Sequence, residues 1–506
     1  MASLMIRKAN IQGDIWPGLP KRFQTFLFFQ IQNPDAFKGR LKRFLPRITT
    51  AEQACQYKDR MKAAKEEADR SGMRKAMMAL PGINIAFTST GLTKLGKFVL
   101  TAKDQGAVKK DRALSQVFRD KQLRGGLFEK GMYADLTGEG WDDPQEIRTE
   151  YKPFGPDNER LIDGVLLVTS SCPDDFQKQV AEVTDRFEDE GVVRMIMTRH
   201  GTVRPGEHKG KEHFGYMDGI SQPVIEGLDT REPVEKEPVR VKPGLILCGQ
   251  PGDCMPQPAW AKDGSFLVIR DLQQLVPEYD NWLEENASKA PFTAGHKDPP
   301  QKLAAYLMGR WKNGTPVDES PDDDGGHKIN LSNNFDFEPR DEHHKCPFAA
   351  HIRKMRPRAD LSNDHAVIIR RGIPYGEEVS EQEKAARQSD IAKDRGLLFT
   401  CYQSDVRTGF NFLTTRWASN HQFPDGKDKV VNGGPGIDPI VGQRLPIHPA
   451  RSIGLPDKEV ASRHRMTLDR WVIHKGGEYF FSPSIEAMEG YLTGPSDYSP
   501  VFKAKL

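Results

Sequence analysis

The sequence predicts an α+β protein made of two similar units, each an antiparallel sheet covered by helices. Short apolar stretches of strand length alternate with longer stretches in which charged residues are interleaved at helical spacing. This alternation runs through the first half of the chain and is repeated in the second half. Between the halves, prolines and glycines that interrupt regular structure crowd residues 226–262. We therefore predict an N-terminal domain over 1–225, a connection over 226–262 and a C-terminal domain over 263–506.

The N-terminal unit is predicted from four apolar runs of strand length. These runs lie at 26–31, 83–88, 163–169 and 192–198. Charged residues interleaved with Phe37, Leu41 and Phe44 predict that 34–64 is largely helical. Two further helices are predicted over 92–100 and 173–190, the second from its amphipathic pattern.

The C-terminal unit repeats this order of elements. Strands are predicted at 266–270, 366–371, 397–402 and 478–482, and helices at 272–288, through 410–417 and at 483–492. Alternation along the second strand places Arg370 and Arg371 on opposite faces, so that one guanidinium points inward. Because a buried charge without a partner is costly, we expect that arginine to meet a partner or a ligand.

Composition and charge exclude several classes of protein. The net charge of +2 on 506 residues lacks the basic excess of nucleic-acid-binding proteins, so no nucleic-acid partner is expected. No run of 18 apolar residues occurs, so no membrane span is expected. The N-terminal residues lack the apolar stretch of a secretory signal, which favours a cytoplasmic location, or a secreted one if the chain is a mature form. The six cysteines are expected to be thiols, although the close pair Cys248 and Cys254 could be linked.

His351 is the first candidate for chemistry. Pro347 and Pro357 bound a predicted helix of about two and a half turns, on which His351 shares an apolar face with Phe348 and Ile352. A histidine on such a face is either an ordinary core residue or an imidazole presented to a haem. The arginines that follow it, Arg358 among them, suit either haem propionates or a solvated face.

Asp218 is the second candidate. It lies between Gly215 and Gly219, which permit a tight turn and a close approach of the backbone to a flat or bulky group. The alternative is an ordinary Asp-Gly turn. In the strand at 397–402, Leu397 and Phe399 share one face and could line an apolar cavity.

Taken in order, these motifs resemble those of the dye-decolorizing peroxidases, especially the long fungal-type and related bacterial branch. The shared motifs are Gly-x-x-Asp-Gly at 215–219, Pro-Phe-Ala-Ala-His at 347–351 and Arg-Arg-Gly-Ile-Pro-Tyr-Gly at 370–376. Asn-Ile-Gln-Gly-Asp-Ile at 10–15 is similar to the usual start of these proteins, and the match runs from there to the C-terminus. The resemblance implies two ferredoxin-like domains, with haem in the C-terminal one.

The resemblance also implies roles for individual residues. His351 would ligate the iron of one haem b per chain, with Asp218 as the distal acid–base residue and Arg370 as the distal arginine. The remaining contacts to haem would come from Gly219, from Arg358 at a propionate, and from Leu397 and Phe399 in the distal pocket. Asp405, at the end of a predicted strand, is a candidate partner for the proximal histidine.

The activity implied is that of a haem peroxidase, which reduces hydrogen peroxide and oxidises dyes and phenolic or other aromatic donors by one-electron steps. Electrons from bulky donors would pass through a surface tryptophan or tyrosine, for which the candidates are Trp311, Trp417, Trp471 and Tyr402. One alternative is a haem-binding or iron-release protein on the same scaffold. A second is a structural α+β protein without haem. The physiological reductant and the oligomeric state are left open.

Overall fold

The computed structural model of the chain describes residues 6–72, 78–96, 126–155, 159–188, 191–232, 235–236, 240–255, 257–326, 330–361, 366–443, 450–456 and 464–494. A nine-stranded sheet runs through this part of the chain, and a separate pair of short strands lies beside it. The strands are β1 (Phe23–Ile31), β2 (Gly82–Phe87), β3 (Gly164–Ser170), β4 (Val193–Thr202), β5 (Ser265–Gln274), β6 (Ile369–Arg370), β7 (Ile373–Tyr375), β8 (Gly396–Gln403), β9 (Ser452–Gly454), β10 (Arg465–Thr467) and β11 (Val472–Ser482).

Helices cover the sheet and form the connections between its strands. The α-helices are α1 (Pro34–Phe44), α2 (Ala51–Ser71), α3 (Ser89–Lys94), α4 (Leu127–Lys130), α5 (Met132–Gly138), α6 (Pro173–Glu188), α7 (Val276–Asn286), α8 (Pro299–Met308), α9 (His351–Met355) and α10 (Glu381–Ala386). In the described part of the chain, π-helical segments come after strand β8, at Arg407–Asn411 and Leu413–Ala418, and after strand β11, at Ala487–Leu492. Among the described residues, no helix is both long enough and apolar enough to cross a membrane.

The two halves of the sheet have the same strand order, which confirms the predicted pair of ferredoxin-like units. The first half runs β4-β1-β3-β2 and the second β11-β5-β8-β6, so that each unit places its strands in the order fourth, first, third, second. Neighbouring strands are antiparallel throughout. The halves join where β2 meets β11, with Phe87 opposite Phe481.

The sheet curls until its two outer regions approach each other. Gly201 on β4 lies so close to β7 that a Cβ atom there would be 2.3 Å from Cγ2 of Ile373. A residue without a side chain is therefore required at this contact. The curvature encloses one face of the sheet and leaves helices α1 and α6 packed on the other.

Both faces of the sheet are buried, and this explains the continuous apolar runs in the sequence. On the outer face, Phe29 and Phe87 pack against Phe37 of α1, which in turn contacts Phe187 of α6. Each of these rings is almost fully buried, which is worth about 1.5–3 kcal/mol per side chain relative to exposure.

Three predicted elements differ from those observed. The helix predicted from 272 begins at Val276, because Leu272 and Gln274 pair with β8 and β11 as the end of strand β5. The segment 34–64, predicted to be largely helical, contains α1 and the first part of α2, separated by a short 3-10 turn at Leu45–Arg47, and α2 continues to Ser71. The helix predicted over 92–100 begins earlier, at Ser89, because the side chain of Thr88 caps it.

Other boundaries differ less. The strand predicted at 366–371 is limited to Ile369–Arg370, while the last predicted strand extends back to Val472. Residues 97–100 and 189–190, at the ends of two predicted helices, lie outside the described residues.

The predicted connection at 226–262 contains two 3-10 turns, Pro243–Leu245 and Ala259–Ala261, and a parallel bridge between Ile225 and Val241. Its residues 233–234, 237–239 and 256 lie outside the described residues. The boundaries assigned to it stay a prediction, since hydrogen bonds of one continuous sheet join the two units.

All six cysteines are thiols, and Cys248 and Cys254 contact different carbonyl oxygens.

Candidate active site

One cavity of about 290 Å³, enclosed between the curved sheet and the segments that follow it, brings together the motifs around Asp218, His351 and Arg370 and the strand that carries Leu397 and Phe399. All the residues predicted to form the site line this cavity: Asp218, Gly219, His351, Arg358, Arg370, Leu397 and Phe399. They come from parts of the chain as much as about 180 residues apart, so that only the fold can make them neighbours.

His351 is the first residue of a short helix rather than the middle of a longer one. Helix α9 spans only His351–Met355, because Ala350 has an extended backbone with ψ at 135°. The prediction of two and a half turns was therefore wrong. The helix packs on Gly309, where a Cβ atom would lie 2.4 Å from Cγ1 of Ile352. This close contact with the end of α8 sets the position of the imidazole at the cavity wall.

The acidic partner of His351 is Asp438. Nδ1 of His351 lies 2.8 Å from Oδ2 of Asp438, which is completely buried. Oδ1 of the same carboxylate accepts the backbone N–H groups of Ile440 and Val441. Burial raises the pKa of Asp438, but His351 and these N–H groups outweigh it, and the pKa is lowered.

Asp405, the predicted candidate for this role, does not contact His351. Its carboxylate accepts instead the backbone N–H groups of Arg407 and Thr408 at the start of a π-helical segment. The prediction was wrong because closeness to a strand end says nothing about which side of the cavity a residue reaches. The available signal was a charge set among the apolar residues Ile437 and Ile440, which needs a partner if it is buried.

A carboxylate can only accept hydrogen bonds, so Nδ1 of His351 carries a proton, and the neutral form of the ring has its lone pair on Nε2. Nε2 has no hydrogen-bond partner among the described residues, and the side chain is 25 % exposed on the cavity side. In this neutral form the imidazole presents the lone pair of Nε2 to the cavity.

Asp218 and Arg370 form a second ionisable pair in the same cavity. Nη1 of Arg370 lies 2.6 Å from Oδ1 of Asp218, and this oxygen also accepts the backbone N–H of Gly219 at 2.6 Å. Gly219 has a φ of +76°, a conformation that favours glycine and that turns its N–H back to the carboxylate. Oδ2 of Asp218 has no hydrogen-bond partner among the described residues.

Gln222 joins the Asp218 segment to strand β6, a role that the sequence analysis missed. Its Oε1 accepts the backbone N–H of Arg370 at 3.1 Å, and its Nε2 donates to the carbonyl of Arg370 at 2.9 Å. Nη2 of Arg370 also donates to the carbonyl of Ser221. These bonds hold the guanidinium and the carboxylate in one arrangement.

Burial and the hydrogen-bond partners of Asp218 have opposite effects on the pKa of its carboxyl group. Burial acts to raise the pKa of Asp218, whereas Arg370 and the Gly219 N–H act to lower it. The net effect is a pKa below the ordinary value, so that the carboxylate is ionised at neutral and mildly acidic pH.

The sheet itself forms the floor of the cavity. Leu397 and Phe399 on β8 lie directly opposite Leu272 and Arg270 on β5, and all four line the cavity. Since directly opposed residues in an antiparallel pair point to the same face, the predicted common face of Leu397 and Phe399 agrees with their placement.

A buried polar cluster that the sequence analysis missed lies in the same floor. Arg270 donates to both carboxylate oxygens of Asp142, at 2.6 and 3.0 Å, and Nδ1 of His474 lies 3.0 Å from Asp142 Oδ1. Burial, followed by the charge of Arg270, lowers the pKa of His474 to about 4. Arg270, like Arg370, lies in an apolar strand where a buried charge needs a partner, and this was the available signal.

Arg358 lies at the rim of the cavity beside a second arginine. Its Nη1 donates to the carbonyls of Asn333 and Phe335, and its guanidinium lies 3.9 Å from the centre of the Phe335 ring. Arg310 lines the same region, where burial and the neighbouring Arg358 lower its pKa to about 10. Two adjacent cations at the rim of an apolar cavity can accommodate anionic groups of a ligand.

The four aromatic residues predicted as surface relays are buried. Trp311, Trp417, Trp471 and Tyr402 are each at most 3 % exposed. Trp417, for example, stacks on Phe423 with a distance of 4.9 Å between ring centres. The prediction of a surface location was wrong, because large aromatic side chains fill the cores of this fold.

Comparison with family models and known proteins places these features in a family. Residues 10–205 match the DyP dimeric alpha+beta barrel domain, and residues 304–430 match the Dyp-type peroxidase C-terminal domain. Peroxidase 2 of Mycetinis scorodonius is 34 % identical, over 97 % of this chain and 89 % of the relative. A deferrochelatase of Yersinia pseudotuberculosis is 26 % identical, over 55 % of this chain and 50 % of the relative.

Solved structures give the same result at the level of the fold. An ancestral D-type dye-decolorizing peroxidase covers 97 % of this chain and is itself covered completely, with a TM-score of 0.82 and 39 % identity. A dye-decolorizing peroxidase in complex with 2,6-dimethoxyphenol covers 97 % of this chain and is itself covered completely, with a TM-score of 0.78 and 34 % identity. With relatives this similar along almost its whole length, the chain belongs to the dye-decolorizing peroxidases, a family of haem enzymes.

Proposed function

We propose that this cavity holds one haem b, reduces hydrogen peroxide, and oxidises dyes and phenolic or other aromatic donors by one-electron steps. The observation that carries the proposal is the pairing of two opposed sites in one cavity. His351, backed by Asp438, offers a neutral nitrogen, and Asp218, paired with Arg370, offers an ionised carboxylate beside a fixed cation. The relatives named as dye-decolorizing peroxidases support the same activity.

The residues present fit a haem. An imidazole whose Nδ1 is held by a buried carboxylate has a free Nε2, which is the atom that ligates iron in haem proteins with a histidine ligand. The apolar floor made by Leu397 and Phe399 suits a porphyrin ring. Arg358, and Arg310 beside it, would meet the propionates, since both are cations at the rim.

When bound, the haem iron supplies the redox chemistry for cleavage of the peroxide O–O bond. The protein supplies the movement of the proton. Oδ2 of Asp218, which has no other described partner, accepts the proton from one peroxide oxygen and returns it to the other. Arg370, already fixed by Asp218 and Ser221, stabilises the negative charge on the departing oxygen.

Iron release from haem is the second function considered, and the deferrochelatase match gives it some support. That match covers only about half of each chain, whereas the peroxidases cover almost all of it. A protein that only binds haem or releases iron also needs no ionised carboxylate paired with an arginine. The Asp218–Arg370 pair therefore favours the peroxidase.

Haem titration of His351→Ala tests the proposal. We expect the variant to lose most bound haem, or to show a changed iron spin state, because Nε2 of His351 is the proposed ligand. His344→Ala is the matched control, since that histidine is exposed and pairs only with Glu342. Full haem content and an unchanged absorbance spectrum in His351→Ala would contradict the assignment. Wild-type protein that binds haem but gives no peroxide-dependent oxidation of 2,6-dimethoxyphenol would contradict the peroxidase activity.

A further inference from the structure

A second cavity, of about 540 Å³, adjoins the first. Asp218, Gly219, Gln222 and Arg370 belong to the walls of both, so that the Asp218–Arg370 pair separates the two spaces. The opposite wall of the second cavity is formed by residues 16–21, by Lys58 on helix α2 and by Arg371. A molecule in the second cavity would therefore lie next to the proposed site of peroxide cleavage.

Arg371 carries a positive charge into this wall without an ion pair. Its Nε and Nη2 donate to the carbonyls of Asp14 and Ile15, at 2.9 and 3.1 Å, and its Nη1 to the carbonyl of Arg370. No carboxylate oxygen of the described residues lies within 4 Å of its guanidinium. A guanidinium has five N–H donors, so that two are left for a ligand.

Lys21 and Lys58 line the same cavity, and like Arg371 they donate hydrogen bonds to uncharged acceptors. Nζ of Lys21 donates to Gln24 and to the carbonyl of Arg371, and Nζ of Lys58 donates to the carbonyl of Pro17. None of these acceptors is a carboxylate, and neither ammonium group forms an ion pair with a described residue. Desolvation is the first cause that lowers the pKa of each to about 8, which indicates charges removed from water without full compensation.

The carboxylates of Asp14 and Asp229 act on these three cations through their charge, but neither forms an ion pair with a described cation of this wall. Oδ2 of Asp14 accepts the hydroxyl of Tyr402 at 2.9 Å. Asp229 accepts the backbone N–H of Ile225 and the indole N–H of Trp16. Arg370 is balanced by Asp218, and Arg204 by Glu378. Lys21, Lys58 and Arg371 therefore outnumber Asp14 and Asp229, and the wall has an excess of positive charge.

We propose that this second cavity binds an anionic aromatic electron donor, with its carboxylate or sulfonate group against Lys21, Lys58 and Arg371. This inference rests on the proposed peroxidase function and adds the class of donor. Charge-assisted hydrogen bonds from three cations provide recognition of the anion. The aromatic ring meets apolar parts of the same wall, among them Leu19, Ile369 and Pro374. The donor then lies beside the residues shared with the haem cavity.

Binding of benzenesulfonate, compared with its neutral analogue benzenesulfonamide, tests the inference by calorimetry on the haem-loaded protein. We expect the sulfonate to bind at least about tenfold more tightly. In Lys21→Gln/Lys58→Gln we expect its affinity to fall by about tenfold for each cation removed, about 1.4 kcal/mol each, with little change for the sulfonamide. Lys62→Gln/Lys65→Gln removes the same charge from the exposed face of helix α2 and should leave both affinities unchanged.

Equal affinity for the two probes, or an unchanged sulfonate affinity in Lys21→Gln/Lys58→Gln, would overturn the inference. An equal loss in the Lys62→Gln/Lys65→Gln control would overturn it as well, because it would show an effect of net charge alone.

Turnover distinguishes this inference from the proposed function. With 4-hydroxy-3-methoxybenzoate and its methyl ester as donors, the Lys21→Gln/Lys58→Gln variant should raise KM for the acid about tenfold or more and leave KM for the ester unchanged. If the wild type oxidises the ester but KM for the acid does not change in the variant, the role in donor binding fails and the peroxidase stands. If sulfonate binds as expected but neither donor is oxidised, the peroxidase fails.

Discussion

The two carboxylates of the proposed haem cavity differ in the way they are held, and each suits a different role. Asp438 is completely buried, and both of its oxygens are engaged, one by His351 and one by two backbone N–H groups. Asp218 keeps 31 % of its side chain exposed and leaves Oδ2 without a described partner. A fully engaged carboxylate fixes the orientation and charge of its histidine, whereas a half-engaged one can exchange a proton.

Replacing Asp438 with asparagine removes a negative charge from behind the imidazole. We expect the affinity for haem to fall by about 10–100-fold, the usual cost of losing such a partner of a metal ligand. The reduction potential of the haem should rise, because less negative charge reaches the iron. Haem titration and a spectroelectrochemical potential measure these effects. Asp405→Asn is the control, and an equal change in both variants would mean that the contact with His351 is not the cause.

The arginine of the distal pair should determine the acid limit of the reaction with peroxide. In the wild type the pKa of Asp218 is lowered, so that the active carboxylate persists into acid. In Arg370→Leu the effect of burial is no longer opposed by the arginine, the pKa rises, and the acid limb should move towards neutral pH. The rate at the plateau should also fall by about 10²–10³-fold, the typical cost of one lost electrostatic donor.

Both changes can be measured by stopped-flow rates of the reaction with peroxide between about pH 3 and pH 8. This range includes the ordinary pKa of aspartate, about 3.9. Arg370→Lys keeps the charge without the fork of donors, so its acid limb should stay near that of the wild type while its plateau falls. An acid limb that is the same in wild type, Arg370→Leu and Asp218→Asn would show that Asp218 is only a turn residue.

At the scale of elements, the proposed iron ligand is positioned by the contact between two helix ends. The end of α8 at Gly309 has a φ of +88°, and it lies against Ile352 and Ala350 beside His351. Helix α9 has only five residues and no side-chain cap, so it has little stability of its own. Its position depends on the packing at Gly309.

The variant Gly309→Ala should therefore reduce both stability and haem affinity. A methyl group there forces Ile352 to move, which typically costs about 1–3 kcal/mol, in addition to about 1–2 kcal/mol for a positive φ. Gly295→Ala is a matched control, because Gly295 also has a positive φ of 73° but nothing within 4 Å of its Cβ position. Urea unfolding should show a loss in both, and haem titration a loss in Gly309→Ala alone. Equal haem affinity in the two variants would contradict the role of this contact.

At the scale of the whole molecule, charged groups as well as the sheet join the two units. The Arg270–Asp142–His474 cluster links Asp142 of the first unit to strands β5 and β11 of the second. A further set of arginines and aspartates does the same, with Arg199 on β4 and Arg148 both paired with Asp271 on β5. Removing one member of a buried pair commonly costs about 3–5 kcal/mol, so the units should unfold together.

The neutral state of His474 predicts how stability depends on pH. Its pKa is about 4 in the folded protein and about 6.5 when unfolded, so the unfolded state binds a proton first as the pH falls. The free energy of unfolding should therefore decrease between about pH 6.5 and pH 4, by about 1.4 kcal/mol per pH unit for this one group. Asp142 adds nothing between about pH 6.5 and pH 4, because its carboxyl titrates below this range in both states. Its ordinary pKa is about 3.9, and in the folded protein the pKa is lower still.

Urea unfolding at pH 7 and pH 5 measures this dependence. His213 and His343, whose pKa values burial also lowers, contribute in the same direction. His474→Gln should thus keep part of the pH dependence and lose the share of one histidine, whereas His344→Gln, at an exposed position, should keep all of it. An unchanged difference between the two pH values in His474→Gln would rule out His474 as a source.

The fold class and the residues gathered in the proposed haem cavity could be predicted from the sequence. Apolar runs and turn residues are local, so strands and helices could be predicted close to their observed positions, with errors where tertiary pairing extended a strand, as at Leu272. The motifs around Asp218, His351 and Arg370 could be found because each has its own local pattern, and the structure places all three on one cavity.

Which charged groups meet could be seen only in the folded chain. Asp438 lies 87 residues from His351, Asp142 lies 332 from His474, and neither pairing leaves a local pattern. The same holds for Lys21, Lys58 and Arg371, whose shared wall exists only where the N-terminal segment packs on the end of strand β6. Periodicity determines which face a residue takes within its element. The pairing of charges between elements depends on how those faces pack, because the energy of an ion pair is realised only at contact distance.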